Sequence, residues 1–212
     1  MKRITINLVS LNFSFQLDDL FKMASKKSKA IRENYDFYNK LLAERKSVFS
    51  EIIDINSIGN NANTLEKIEL VKHPSITDDM ALIVDVKVNN HNFFQFKLRY
   101  KSFVDQPFFR FDSDGDTHRN KVDGVPLDKQ SITTPHFHKF NAEGLEIAYK
   151  TEKLLNDNES KALEDINFCI VHFFNESNIR LNIDEFPEVK IMSHTLGFSF
   201  VKDDPNQNIT FP

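Results

Sequence analysis

Two short blocks carry side chains whose types and spacing allow joint chemistry. The first reads Arg110-Phe111-Asp112-Ser113-Asp114-Gly115-Asp116-Thr117-His118-Arg119-Asn120, and the second Thr133-Thr134-Pro135-His136-Phe137-His138-Lys139-Phe140. Alternate side chains of a strand share a side, so Arg110 and Asp112 point together, as do His136 and His138, about 7 Å apart along their strand. If the two strands pair, these four residues make one polar side, while Phe109, Phe111 and Phe137 turn to the core. His118 and Arg119 then overhang it from the loop between the blocks.

Such a set has three readings. In the first, two imidazoles serve as general base and general acid near neutral pH, and a guanidinium stabilises a developing phosphorane. That suffices to cleave RNA through its 2′-hydroxyl with no metal and no cofactor. His136 and His138 are then acid and base, and Arg110 with Arg119 holds the phosphate. Lys139 is a further substrate contact, Asp112 orients an imidazole, and His118 is a spare acid, base or positioning group. In the second reading His118, His136 and His138 ligate a transition metal, with Asp112 as fourth or outer ligand. The third is structural: strand histidines beside an Arg–Asp ion pair. The residues alone leave all three open.

Other signals are weaker. Asp112-Ser113-Asp114-Gly115-Asp116 imitates a calcium loop, but its glycine stands fourth instead of sixth and the twelfth position is Asp123 instead of Glu, so a tight turn is the better account. His73, His91, His172 and His194 sit in structural settings. Cys169 lies between Phe168 and Ile170 on a helix with no base at hand and reads as a core thiol. There is no phosphate-cradling glycine loop, serine elbow or Cys-x-x-Cys pair.

The elements that position these blocks follow from periodicity. Asp18 and Asp19 precede a helical stretch to about Ser50, with Ile31, Tyr35, Tyr38 and Leu42 on one face. Its basic run, Lys22 to Arg32, is a solvated face or a phosphate-tracking patch. Ile4 to Leu8 and Leu11 to Phe15 alternate as strand. Strands are expected over Leu65–Lys72, Leu82–Val88, Phe94–Tyr100, Phe108–Asp112, Pro135–Phe140 and Leu145–Tyr149, then over Val189–Met192 and Phe198–Val201. Asn158 is a candidate cap for a helix with Leu163, Ile166, Ile170 and Phe173 as its stripe. The fold class expected is α+β, a mainly antiparallel β-sheet with a long N-terminal helix and a C-terminal helix packed on it. Residues 1–60 hold the strand and long helical segment, and residues 61–212 the sheet with the C-terminal helix, the two forming one unit.

Composition limits the function classes. The chain has 212 residues, enough for a core without staples, and its lone cysteine precludes an internal disulfide. A net charge of −4 argues against whole-surface binding of nucleic acid. Twenty-one phenylalanines and no tryptophan indicate a phenylalanine core rather than a stacking platform. The apolar run after Met1-Lys2-Arg3 is short and broken by Thr5 and Asn7, so a cytoplasmic protein without a membrane partner is expected.

The two blocks resemble small β-rich bacterial proteins with an Arg-aromatic-Asp…His…Pro-His-x-His pattern, including the TumE-type toxins of toxin–antitoxin pairs. Arg110, Phe111, Asp112, His118, Pro135, His136, His138 and Lys139 carry the likeness, and Gly144 to Tyr149 extends it. It covers about Tyr100 to Lys150, under a quarter of the chain. The resemblance implies a toxin or phage-conflict protein, with RNA as substrate in its sharpest form and an antitoxin or defence component as protein partner. The alternative is a non-enzymatic inhibitor or antitoxin-like partner, whose acidic charge and amphipathic helix suit a basic protein.

Overall fold

Phenylalanines turned inward at every second position set up the sheet. The computed structural model describes residues 27–59, 63–182 and 185–192. Its elements run α1 (Lys29–Glu33), α2 (Tyr35–Ala43), β1 (Lys46–Ser47), β2 (Ile52–Ile55), β3 (Ser57–Ile58), β4 (Thr64–Val71), β5 (Met80–Lys87), β6 (Asn90–Arg99) and β7 (Phe109–Asp112). There follow β8 (His118–Arg119), β9 (Ser131–Ile132), β10 (His136–Phe140), β11 (Glu146–Tyr149), α3 (Glu152–Leu155), α4 (Asp157–Ala162), α5 (Ile166–Ser177), β12 (Ile179–Arg180) and β13 (Glu188–Ile191).

The fold is α+β, built on a seven-stranded sheet of order β11-β10-β7-β6-β5-β4-β3. Every pairing in it is antiparallel. One side is dry: Leu82, Val84, Phe94, Phe96, Leu98, Phe109, Phe111 and Phe137 are buried. Helix α5 covers that side. Asp165 caps it by accepting from the Asn167 and Phe168 amides, and Asn178 in the left-handed conformation ends it. Its Phe173 ring packs on Phe96, Phe109 and Phe137 at centroid distances of 5.4, 5.4 and 6.3 Å. The helical stretch expected from Asn158 is divided instead, since Asn156 caps α4 and Asp165 caps α5.

The long N-terminal helix is not formed among the described residues, which corrects the expected fold. In its place are two short helices, of five and nine residues. Asn34 interrupts them with φ −132° and ψ 44°, outside the helical region, and Glu44 ends the second in extended conformation. The stop is reinforced by Lys46. Its buried ammonium folds back on the carbonyls of Leu41, Leu42 and Glu44 at 2.7, 2.9 and 2.7 Å, filling acceptors that another helical turn would have used. From there Lys46 and Ser47 pair in parallel with Ile179 and Arg180, so the sequence periodicity gave way to strand contacts from the far end of the chain. The strands expected over 4–15 and 198–201, with Lys22, Lys26 and His194, lie outside the described residues. Among the described residues no helix is long and apolar enough to cross a membrane.

Candidate functional site

Strands β7 and β10 pair with His136 opposite Asp112 and His138 opposite Arg110. Directly opposed residues of an antiparallel pair share a side, so this register puts all four together on the side away from α5. Phe111 and Phe137, opposite one another with ring centroids 4.9 Å apart, anchor the register from the dry side. The loop after β7 turns at Asp114-Gly115, where the Asp114 carboxylate accepts the Gly115 amide at 2.7 Å. It then returns over the sheet as the β8–β9 hairpin, in which His118 pairs with Ile132. Asn120 fixes this overhang to the sheet edge: its side-chain oxygen accepts the Ala148 amide at 2.6 Å and its side-chain nitrogen donates to the Ala148 carbonyl at 3.0 Å.

The result is a cleft of about 410 Å³ lined by Arg110, Asp112, His118, His136 and His138, with Lys87, Phe93, Gln95, Asp114 and Asp116 around them. The three imidazoles converge. Ring centroids stand 4.6 Å apart for His136–His138, 4.8 Å for His118–His138 and 6.3 Å for His118–His136. His136 and His138 are 1% and 2% exposed, so they form the floor, while His118 is half-buried at the mouth.

Four polar atoms crowd one point on that floor. His138 Nε2 lies 2.8 Å from His136 Nε2, 3.0 Å from Asp112 Oδ2 and 3.0 Å from Arg110 Nη2. Arg110 also faces Asp112 Oδ1 with its Nε at 3.1 Å and Glu146 with its Nη2 at 3.6 Å. Glu146 stands 3.4 Å from His138 Nδ1, on the ring edge away from the cluster.

Burial, and next the neighbouring His138, pushes His136 down to about 4. The same two causes lower His118. For Asp112 burial acts upward, but the hydrogen bond with His138 and the charge of Arg110 outweigh it and hold the carboxyl below its ordinary value. At neutral pH the floor therefore holds an ionised carboxylate beside a neutral His136.

Not every residue expected at the site reaches it. Arg119 follows His118 on the hairpin, is exposed and does not line the cleft. Lys139, one position past His138, lies on the other side of the sheet with its ammonium 4.5 Å over the Tyr149 ring. The two-residue period of a strand separates it from the histidines. The sequence reading missed Glu146, Gln95, Lys87 and Phe93. Alternation in β11 places Glu146 on the side of Ala148, and Ala148 is paired with His138. Gln95 enters because β6 sets it opposite Asp112. Lys87 lies 3.6 Å over the Phe93 ring at the rim.

Two further histidines among the described residues do other work. His172 is buried behind Phe137, bonded to Thr151 at 2.9 Å, and His73 accepts the Ser75 amide at 3.1 Å. Cys169 is buried, and burial raises its thiol well above the usual value. No protein-family model, no curated protein and no solved structure matches this chain.

Proposed function

We propose that this protein is a cytoplasmic toxin or phage-conflict protein that cleaves phosphodiester bonds of RNA in the cleft. One observation carries the reading: three imidazoles, a guanidinium and a carboxylate from two non-adjacent blocks meet in an open cleft. Functional sites are where such perturbed, mutually close titratable groups concentrate.

The geometry redistributes the roles. Two imidazoles that serve as acid and base in transesterification stand on opposite sides of the phosphorus. With Nε2 atoms 2.8 Å apart, His136 and His138 leave no room for a phosphate between them. They act as one unit, joined to Asp112, that takes the proton of the 2′-hydroxyl as its oxygen attacks phosphorus. His118, half-buried at the mouth with its ring 6.3 Å from that of His136, returns a proton to the leaving 5′-oxygen as the P–O5′ bond breaks. Arg110 meets the non-bridging oxygens, whose negative charge grows in the transition state.

The test is incubation of purified protein with a mixed-sequence RNA and mapping of the ends. Cleavage leaving 2′,3′-cyclic phosphate, reduced at least 100-fold in His118→Ala and Arg110→Ala, is the expected result. A folded protein that leaves RNA intact, or variants as active as the parent chain, refutes the reading. A tightly co-purifying protein partner with no cleavage is the signature of the non-enzymatic alternative.

A further inference from the structure

His138 Nε2 has three polar neighbours within 3.0 Å, and their demands conflict. A ring nitrogen carries one proton or one lone pair. If it is protonated, it satisfies Asp112 and is wrong for the Arg110 donor. If it is bare, it accepts from Arg110 or His136 and meets the Asp112 carboxylate with a lone pair. A cation among His136 Nε2, His138 Nε2 and Asp112 Oδ2 removes the conflict, since all three then present lone pairs to it. Arg110 retains its contacts with Asp112 Oδ1 and Glu146.

The spacing fits. The three donor atoms are 2.8, 3.0 and 3.8 Å apart, so the circle through them has a radius of about 1.9 Å. An ion with bonds of about 2.0–2.2 Å therefore sits just off their plane, touching all three. The surroundings agree. Glu146, 3.4 Å from His138 Nδ1, stands where a carboxylate fixes the tautomer of a ligating imidazole. With Glu146 on the Nδ1 edge of His138, its Nε2 atom is turned into the cluster, where it meets the Nε2 atom of His136 at 2.8 Å. The charge balance points the same way: Asp112, Asp114 and Asp116 outnumber Lys87 and Arg110 in the lining, a poor receptor for phosphate until a cation is added.

We infer that Asp112, His136 and His138 bind one divalent first-row transition ion, with Glu146 orienting His138 and the open coordination positions facing the cleft. Two imidazoles and one carboxylate favour zinc, cobalt, nickel, iron or manganese over magnesium and calcium, which prefer all-oxygen sets. His118 stands outside this triad. The inference deepens the phosphodiesterase reading, because an ion there binds a non-bridging oxygen and supplies the missing positive charge. It replaces both the metal-free chemistry expected from the sequence and the proton-accepting role given above to His136 and His138: their Nε2 atoms become ligands, and His118 is left as the cleft imidazole free to move a proton.

The experiment uses the full chain, stripped with a chelator and titrated with Zn²⁺ and Co²⁺. One equivalent binds saturably, Co²⁺ develops a d–d spectrum, and its paramagnetism shifts the ring signals of two histidines. Large excess Mg²⁺ does not displace it. Asp112→Asn, His136→Ala and His138→Ala each abolish saturable binding, Glu146→Gln weakens it 10–100-fold, and His118→Ala changes it less than tenfold. No saturable binding by the wild type, shifts from other histidines, or undiminished binding by folded triad variants overturns the inference. The wild-type titration and spectrum decide the matter even if a triad variant fails to fold. Metal binding without RNA cleavage sinks the substrate reading alone, while chelator-resistant cleavage by a chain that binds no metal sinks the metal alone.

Discussion

The Tyr38 hydroxyl accepts the backbone amide of Phe140 at 2.8 Å, tying helix α2 to the end of the strand that carries both floor histidines. The same hydroxyl donates to the Phe108 carbonyl at 3.3 Å, just before the strand that carries Arg110 and Asp112. The ring meets Phe108 and Phe140 edge-on, at 6.4 and 6.1 Å. One side chain thus clamps the ends of both site strands, and burial raises its phenol so that the donor is retained.

Tyr38→Phe removes this clamp and leaves a buried amide and carbonyl unpaired. The expected cost is about 1–3 kcal/mol, read from urea unfolding with an unchanged slope. Hydrogen exchange at the Phe140 amide accelerates beyond what the global loss of stability explains.

Asn120→Ala frees the overhanging hairpin, because both amide contacts with Ala148 are lost. About 1–2 kcal/mol of stability goes with them. In Asn120→Asp the acceptor remains and the donor does not, so the Ala148 amide stays protected from exchange. The separation between the His118 and His138 rings, followed by nuclear Overhauser contacts, widens in the alanine variant and holds in the aspartate variant.

Gly144→Ala tests the joint between the β10–β11 turn and the start of α1. Gly144 has φ +73° and its carbonyl accepts the Ser28 amide at 2.7 Å. An added Cβ comes within 2.2 Å of the Ser28 carbonyl oxygen, so the helix start has to move. Left-handed strain and this clash together cost about 2–4 kcal/mol, visible as a lower Tm.

His172 gives stability a pH dependence separate from the cleft. Burial, and then the charge of Lys153, lowers its imidazole from the usual 6.5 to about 4. The unfolded chain therefore binds the proton more readily than the folded one between those values. The contribution is complete above pH 6.5 and is lost as the pH falls towards 4, amounting to at most about 3 kcal/mol. Thermal melts of His172→Gln show a shallower decline over that window than the parent chain. Equal slopes contradict this assignment.

The sequence by itself determined which side chains share a side of each strand. Alternation is a property of the local backbone, so Arg110 with Asp112, His136 with His138, and the inward Phe109, Phe111 and Phe137 could be read from spacing alone. The same rule, applied one residue further, removes Lys139 from the cleft. Tertiary structure decided the rest. The lateral register of β6 and β11 brings in Gln95 and Glu146, and a long-range amide contact suspends His118 over the floor. The helix break at Asn34 was invisible because the apolar period from Ile31 to Leu42 continues through it, and the Lys46 cap because a lysine there is compatible with one more helical turn. Pairing with Ile179 and Arg180 draws the chain out of that helix. Separations such as the 2.8 Å between two imidazole nitrogens depend on strands far apart in sequence packing against one another, which no local pattern encodes.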